Sequence, residues 1–356
     1  MSRKTILLVD MNSFFASVHQ AEDSSLLGKP IIVGGVPNNR SKGMVIAASY
    51  EAKDKGVYTT MSVYEALKKC PEAIIVERNH PLYSSYSKKI MDFLRLIGPT
   101  ETASIDEAYV DITDRVEKGT SPRTIAMYIQ KTLWDKLKLG CSIGCSNTKT
   151  SAKMAADIKK PFGYVHLGQL QFCSFFHPQK LRKLHGCGLK TEEKLNKYDI
   201  FTIGDLAKAD PLQLKLILGK RGEWLQKAAL GIGSDFVNAE REKGDKTIGK
   251  ERTFAQPTSE PEILMALAKN MIESLCTRLK QKKLRAATIA IVFKIKREEG
   301  SHSKSITLEE ATYDPDLIYT IVEKLYDNHL IEVPLVLFGV RLSNFKDTNY
   351  IQLRLF

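Results

Sequence analysis

Thr102-Ala103-Ser104-Ile105-Asp106-Glu107-Ala108-Tyr109-Val110-Asp111-Ile112 reads as two short β-strands joined by a tight turn, with two adjacent acids at the tip. Neighbouring anions repel at the end of an otherwise apolar hairpin. A divalent cation relieves that repulsion, and a third carboxylate from a neighbouring strand would complete the cage. A solvated turn, for which Asp and Glu are ordinary residues, is the plainer reading. The pair alone does not separate the two.

Working outward, residues 5–9 read as a strand whose apolar run Ile6-Leu7-Leu8-Val9 is ended by Asp10, and residues 13–20 open a helix. An acid at the end of a buried strand is placed poorly for stability and well for a hard cation with oxygen ligands. A helix cap is the other reading of Asp10, although Asn12 or Ser13 could fill that role equally. Residues 31–36 read as a further strand, followed by a Gly- and Asn-rich loop. Ser121-Pro122 has the cap-then-proline form of a helix start, and the following helix puts Ile125, Tyr128, Ile129, Leu133 and Leu137 on one face. Alternating strands and helices over residues 1 to about 165 imply a mixed α/β domain.

From about 167 to 235 the pattern is all-helical, broken by Gly186, Gly188, Gly204, Gly219, Gly231 and Gly233, and the charged stretch 238–246 reads as a linker. Beyond it, residues 247–254 form a strand. Ser259 with Glu262 reads as a capping box before a helix running to about 281. Residues 287–297 form a strand with Ile289, Ile291, Phe293 and Ile295 on one face and Lys294 and Lys296 on the other. Residues 303–310 pair with it, 315–329 make an amphipathic helix and 335–345 a closing strand. That βαββαβ order is ferredoxin-like, a common nucleic-acid-binding scaffold that proves no function by itself.

The 356 residues exceed one ordinary core, so two to four domains are expected. A hydrophobic fraction of 43% with 26% charged residues is that of a globular protein, and no apolar run approaches a membrane span. The run after the basic start is too short for a signal peptide. The six cysteines contain no Cys-x-x-Cys pair, which argues against a zinc site and for reduced thiols. The net charge of +12 favours an anionic partner without naming it.

Six segments together carry a resemblance: residues 9–16 (VDMNSFFA); the Thr102–Ile112 segment; 47–57 (AASYEAKDKGV); 142–149 (SIGCSNTK) with 155–163 (AADIKKPFG); 184–191 (LHGCGLKT); and 246–254 (KTIGKERTF). In this order and spacing they resemble the Y-family (translesion) DNA polymerases of the DinB or polymerase IV-like branch, over essentially the whole chain. The resemblance implies a multidomain α+β right hand: a ferredoxin-like palm at 1–19 and 74–165, small fingers at 20–73, a helical thumb with a helix–hairpin–helix at 166–235, a linker at 236–244, a βαββαβ little finger at 245–345 and a tail at 346–356. It implies template-directed, low-fidelity addition of deoxynucleotides to a primer 3′ end, with release of pyrophosphate. The cofactors implied are two Mg²⁺ ions, with Mn²⁺ able to substitute. Asp10 and Asp106 should bridge both ions, Glu107 hold the catalytic one, and the Met11 carbonyl complete the nucleotide-side ion.

On the same resemblance Phe15 is the steric gate against a ribose 2′ hydroxyl; core packing beside Val18 is the alternative. Tyr50, Lys53 and Lys160 should contact the triphosphate, with the backbone amides of Ser13, Phe14 and Phe15 completing the cradle. Ile46 should lie over the nascent base pair. Lys53 stands where relatives have Arg, so a bidentate clamp becomes a point charge. Ala47 replaces a Thr, and Asn12 and His19 stand where acids are common.

Gly186 and Gly188, followed by Thr191 as a cap, would let backbone amides hold a DNA phosphate with help from Lys190. Residues 276–304 hold nine Lys or Arg against Glu298 and Glu299, and Lys294 and Lys296 on one strand face are the more telling DNA contacts. The chain ends Gln352-Leu353-Arg354-Leu355-Phe356, which resembles the peptide that docks bacterial polymerases on the sliding clamp; an ordinary last strand is the alternative. Gln352, Leu353, Leu355 and Phe356 would make the contacts. The partners implied are therefore primer-template DNA, deoxynucleoside triphosphates and a sliding clamp, for a cytoplasmic monomer with no membrane. A non-catalytic DNA-binding factor built on a decayed polymerase is the alternative function. Loss of a metal acid would favour it, and all three acids are present.

Overall fold

In a computed structural model the structure describes residues 4–35, 42–240 and 246–347. The chain divides into two compact units, Met1–Arg241 and Glu242–Phe356. Among the described residues no helix is long and apolar enough to cross a membrane.

The first unit is organised by β1 (Ile6–Met11), all six of whose residues are buried. Side chains alternate across a strand, and here both faces are covered. Leu7, Val9 and Met11 enter the main core with Ile90, Leu94, Ile129 and Leu133. Leu8 points the other way, onto Ala152 and Ala156 of the helix Lys149–Ala156. Asp10, two residues on, shares that second face. The same helix lies directly on the strand Cys141–Ser146: a Cβ on Gly144 would stand 1.9 Å from the Ala152 carbonyl oxygen, so only glycine admits the approach.

In chain order the other strands of this unit are β2 (Ile31–Gly34), β3 (Val45–Ala48), β4 (Ile74–Val76), β5 (Thr100–Thr102), β6 (Glu107–Asp111), β7 (Cys141–Ser146) and β8 (Tyr164–His166). One sheet runs β5-β6-β1-β7-β8, with β1 antiparallel to both neighbours. Its first four strands, with the helices His80–Ile97 and Pro122–Leu137, make the expected ferredoxin-like arrangement. A small sheet β3-β2-β4 has its own core of Ile32, Val45, Ala52, Val63 and Ala66. Residues 169–229 are helical around Phe172, Leu195, Leu206, Leu214 and Leu225. In the helix Pro122–Leu137, Ser121 caps Thr124 N as its sequence implies. The buried face is Ile125, Ala126, Ile129 and Leu133, however; Tyr128 is exposed and lies against Phe93.

The second unit contains β9 (Thr247–Thr258), β10 (Leu284–Lys294), β11 (His302–Thr312) and β12 (Leu335–Asp347), with the helices Pro261–Gln281 and Pro315–His329. The βαββαβ order is as expected, but the strand order is β11-β10-β12-β9. The first strand is at an edge here, whereas it is central in the other sheet. Composition explains this: β9 carries Lys250, Glu251 and Arg252 and is mostly exposed, while β12 is largely buried and takes the centre. Three local expectations fail. Ser259 and Glu262 form no capping box, because the helix starts at Pro261 with Glu260 at its cap. β10 ends at Lys294, so Ile295 is exposed and Lys296 sits in the following turn. Lys294 and Lys296 therefore share no strand face.

Candidate active site

Asp10 is the penultimate residue of β1 and is only 5% exposed. It pairs in register with Glu107, the first residue of β6. The hairpin turn itself comprises residues 103–106, so Asp106 is in the turn and Glu107 already in the strand. The Met11 amide donates to the Asp106 carbonyl at 3.0 Å, tying the turn to the end of β1. The helix Phe14–Glu22 is preceded by Ser13 at its cap position, so Asp10 is not a helix cap.

The three acids line one cavity of about 320 Å³ with Met11, Ser13, Phe14, Phe15, Ile46, Ala47, Tyr50, Lys53, Thr59 and Lys160. Each accepts from a different donor. Lys160 Nζ donates to Asp10 at 2.7 Å, Lys153 Nζ to Glu107 at 2.5 Å, and Ser104 Oγ to Asp106 at 2.5 Å. Lys153 Nζ is also 3.8 Å from Asp10. Among the described residues no three His, Cys, Asp or Glu side chains converge as a metal site. Lys153 thus lies between Asp10 and Glu107 and offsets the repulsion of the two carboxylates.

Burial dominates the titration of Asp10 and pushes its carboxyl up to about 6, against the opposing pull of Lys160. Burial also acts upward on Glu107, but the bond and charge of Lys153, with Asp10 and Lys160, outweigh it and leave Glu107 low. Burial lowers Lys160, yet Asp10 and Asp157 more than compensate and hold its ammonium firmly charged. A raised Asp10 and a raised Lys160 pull in opposite senses on their shared bond. The upward direction for Asp10 follows from its depth at the strand end.

The donor set suits a hard divalent cation: carboxylates from two paired strands and a main-chain carbonyl, with ammonium groups already drawn to the acids.

Phe15 is half-buried and stacks on Tyr83, with centroids 4.1 Å apart and planes 12° apart, while also lining the cavity. Tyr83 is fully buried, and its hydroxyl lies 2.8 Å from His19 Nε2. Lys53 Nζ donates to Ser13 Oγ at 2.8 Å and sits 4.6 Å from the centre of the Tyr50 ring. Burial, then the nearby charge of Lys160, lowers the Lys53 ammonium. Asn12 is 3% exposed and bonds to Tyr50, Ser142 and the Phe162 amide.

A second cavity, about 480 Å³, is lined by Arg182, Lys183, His185, Gly186, Gly188 and Arg221 among others. Gly186 has a φ of +87°, and a Cβ there would meet the Trp224 ring at 2.6 Å. The helix Leu189–Asn196 is capped by Gly188; Thr191 is its third residue and not the cap. Lys190 is exposed on its first turn. In the second unit Lys296 pairs with Glu299 at 3.4 Å, and Lys294 Nζ donates to the Arg297 carbonyl at 3.4 Å. Gln352, Leu353, Leu355 and Phe356 lie outside the described residues.

Sequence reasoning missed Lys153, Tyr83 and a buried latch. Glu101, 2% exposed, accepts from Lys149 Nζ at 2.8 Å and from the Asn238 amide at 3.0 Å. The first residues expected to be linker are thereby pinned to the sheet. A lone Lys among the small buried residues Ala152, Ala155 and Ala156 was the available signal for Lys153.

Two family models match: the impB/mucB/samB family over residues 9–157 and the impB/mucB/samB family C-terminal domain over residues 245–355. DNA polymerase IV of Oceanobacillus iheyensis is 35% identical over 342 residues, covering 96% of this chain and 81% of that protein. DNA polymerase IV of Bacillus velezensis is 37% identical over 356 residues, covering 99% and 85%. A solved Y-family DNA polymerase chimera superposes with a TM-score of 0.83 at 25% identity, covering 96% of this chain and 98% of that one. With two matched models spanning both units and relatives aligned along almost its full length, this chain belongs to the impB/mucB/samB family and is a Y-family, DNA-directed DNA polymerase.

Proposed function

We propose that this polymerase performs translesion synthesis by two-metal phosphoryl transfer in the cavity where β1 meets the β5–β6 hairpin. Y-family DNA polymerases are generally divalent-metal dependent, and a DNA polymerase takes DNA and nucleotides as substrates. One observation carries the reading: Asp10 and Glu107 are register partners beside Asp106, and their cavity also holds an aromatic floor and two lysines.

Asp10, Asp106, Glu107 and the Met11 carbonyl would hold two Mg²⁺ or Mn²⁺ ions. When bound, such a pair activates the attacking hydroxyl and stabilises the leaving oxygen. The residues of this chain do the rest. Phe15 excludes a 2′ hydroxyl. Tyr50, Lys53 and Lys160 meet the triphosphate, and the amides of Ser13, Phe14 and Phe15 add donors at the start of a nine-residue helix. Ile46 covers the nascent pair. Lys153 and Lys160, bonded to the acids, can exchange those partners for cations and phosphate oxygens.

Residues 1–19 and 74–165, with the five-stranded sheet, are then the palm, 20–73 the fingers, 166–235 the thumb and 245–345 the little finger; β4 pairs with β2 of the fingers although it falls just inside the palm bound. Gly186, Gly188, Lys190 and Thr191 would meet a DNA phosphate through the turn and the first turn of the following helix, and Lys294 and Lys296 would add backbone contacts from strand end and turn. A cytoplasmic monomer docking a bacterial sliding clamp through Gln352, Leu353, Leu355 and Phe356 completes the proposal. Primer extension opposite undamaged and abasic templates tests it, with Asp106→Asn as control. Wild type should extend both and the control neither; equal extension by the control refutes the metal assignment. Deleting the last five residues should abolish clamp stimulation and leave basal extension intact, and stimulation that survives removes the docking peptide from the proposal.

A further inference from the structure

Lys160 stands on a turn-rich crossing, residues 157–163, between the helix Lys149–Ala156 and β8. Its ammonium reaches Asp10 and Asp157, each at 2.7 Å. A side chain this long is aimed by the backbone beneath it. The far end of the crossing is the part that needs holding. Phe162 has a φ of +58°, a left-handed conformation that a residue with a side chain disfavours. Its ring is largely exposed, so hydrogen bonds must do most of the holding.

Those bonds come from two side chains. The Phe162 amide donates to Asn12 Oδ1 at 3.1 Å. The Phe162 carbonyl lies 3.0 Å from the amide of Gln130, a half-buried residue of the helix Pro122–Leu137. The same Gln130 atom is 3.0 Å from the Cys141 carbonyl and 3.3 Å from that of Gly163. Carbonyl oxygens only accept, so the atom among all three is Nε2, sharing two protons between them. The strained torsion of Phe162 therefore lies between two held peptides, the one before it held by Asn12 and the one after it by Gln130.

The three acceptors do not depend on Gln130 equally. Cys141 opens β7 and is paired with Met11, and the Gly163 carbonyl also accepts from the Ile143 amide at 2.8 Å. Among the described residues the Phe162 carbonyl has no other donor. Without Gln130 it would be an unpaired acceptor crowded by two other carbonyls, and Phe162 would relax. With Gly163 still tied to β7, that relaxation moves the Lys160 side of the crossing. Pro161 stands between, and its ring fixes φ, so the rotation is passed on to Lys160.

We propose that Gln130 is a positioning residue for Lys160: by donating to the Phe162 carbonyl it fixes the crossing against β7 and holds the Lys160 ammonium in the active-site cavity. This rests on the reading above that Lys160 meets the triphosphate. Gln130 does not line the cavity and acts through the backbone.

The test is a double-mutant cycle on single-nucleotide insertion. It reads kcat/KM for the deoxynucleotide and the KM for primer-template, at a temperature where circular dichroism shows each protein folded. Gln130→Met keeps a side chain of similar length but offers no proton. It should lower kcat/KM for the deoxynucleotide about fivefold and leave the primer-template KM within about twofold. Lys160→Ala removes a charged donor and should lower kcat/KM at least about tenfold. In the Lys160→Ala background Gln130→Met should cost less than about twofold, because the group it positions is gone. Gln130→Ala runs through the same cycle with the same expectation, and it decides the matter alone if the Met variant does not fold. An equal penalty in both backgrounds overturns the proposal, since Gln130 would then act through stability or another group. No penalty from a folded Gln130 variant overturns it too, and in both cases the triphosphate reading stands. No loss on Lys160→Ala removes the triphosphate reading itself, and the proposal with it.

Discussion

Replacing Phe15 by Ala should open the active site to ribonucleotides, and the structure bounds by how much. The ring stacks on Tyr83 at 4.1 Å and 12°, and Tyr83 is fully buried with its hydroxyl held by His19 at 2.8 Å. Such a wall cannot recede. A 2′ hydroxyl pressed against it meets overpacking of about 1–3 kcal/mol, plus about 1–3 kcal/mol for a hydroxyl desolvated without a partner. Together that is about 2–6 kcal/mol, or roughly thirtyfold to twenty-thousandfold in relative kcat/KM. Removing the ring removes both contributions, so Phe15→Ala should lower discrimination at least about thirtyfold. Its half-buried ring makes a stability loss of about 2–3 kcal/mol the expected side effect. The assay is single-turnover insertion of dCTP and CTP opposite template G, at a temperature where circular dichroism shows the variant folded. An unchanged ratio of kcat/KM values in a folded variant refutes the argument and returns Phe15 to core packing.

Two further outcomes concern the groups around the cavity. Glu101→Gln keeps an acceptor for the Asn238 amide but leaves Lys149, about 20% exposed, without its buried partner charge; a cost of about 2–3 kcal/mol should lower the first thermal transition by about 5–10 °C, and a shift within about one degree removes the latch as a stabilising feature. The Asp10 carboxyl, raised to about 6 from 3.8, is destabilising when ionised, so the penalty is full above the folded value, shrinks as pH falls below it and is gone only below the unfolded value. Without divalent metal, Asp10→Asn should therefore melt higher than wild type at pH 7.5, and the gap should shrink to about half by pH 5 and nearly close by about pH 4; a gap constant across that range contradicts the assignment.

Much of the site was legible because its logic is local. An apolar run ended by an acid, and a pair of acids on a short hairpin, need only strand periodicity to be placed on one sheet. β1 and β6 then bring Asp10 beside Glu107 by simple register. What escaped depends on through-space fit. Lys153 reaches Glu107 because Gly144 lets a helix lie on the sheet, and no period in the helix announces that. Tyr83 floors Phe15 from a helix more than sixty residues away. Lys296 was assigned to a strand because alternation continues past the last hydrogen-bonded pair, whereas β10 stops at Lys294, opposite Leu337. Thr191 lost the cap to Gly188 because the helix begins earlier, directly after the turn. The edge position of β9 was visible in its charges, but element order alone implied a central strand.

The joint between β1 and the helix Phe14–Glu22 shows why these residues act together. Ser13 there has φ 46° and ψ 45°, a left-handed conformation that costs a non-glycine residue about 1–2 kcal/mol. A relaxed extended link would carry the helix away from the strand end. The tight link keeps the Asp10 carboxylate, the first helical amides and the Phe15 ring on one cavity. The strain is offset from several sides. Met11 N bonds to the Asp106 carbonyl, Asn12 N to the Gly140 carbonyl, Ser17 Oγ to the Asn12 carbonyl, and Lys53 Nζ to Ser13 Oγ. Those bonds come from the hairpin, the segment before β7, the helix itself and the small sheet's helix Tyr50–Asp54. Two of these partners, Asp106 and Lys53, themselves line the cavity. The backbone that breaks a local rule is therefore held by the elements that must meet around the substrate, and preorganisation of the site and tolerance of the strain have the same cause.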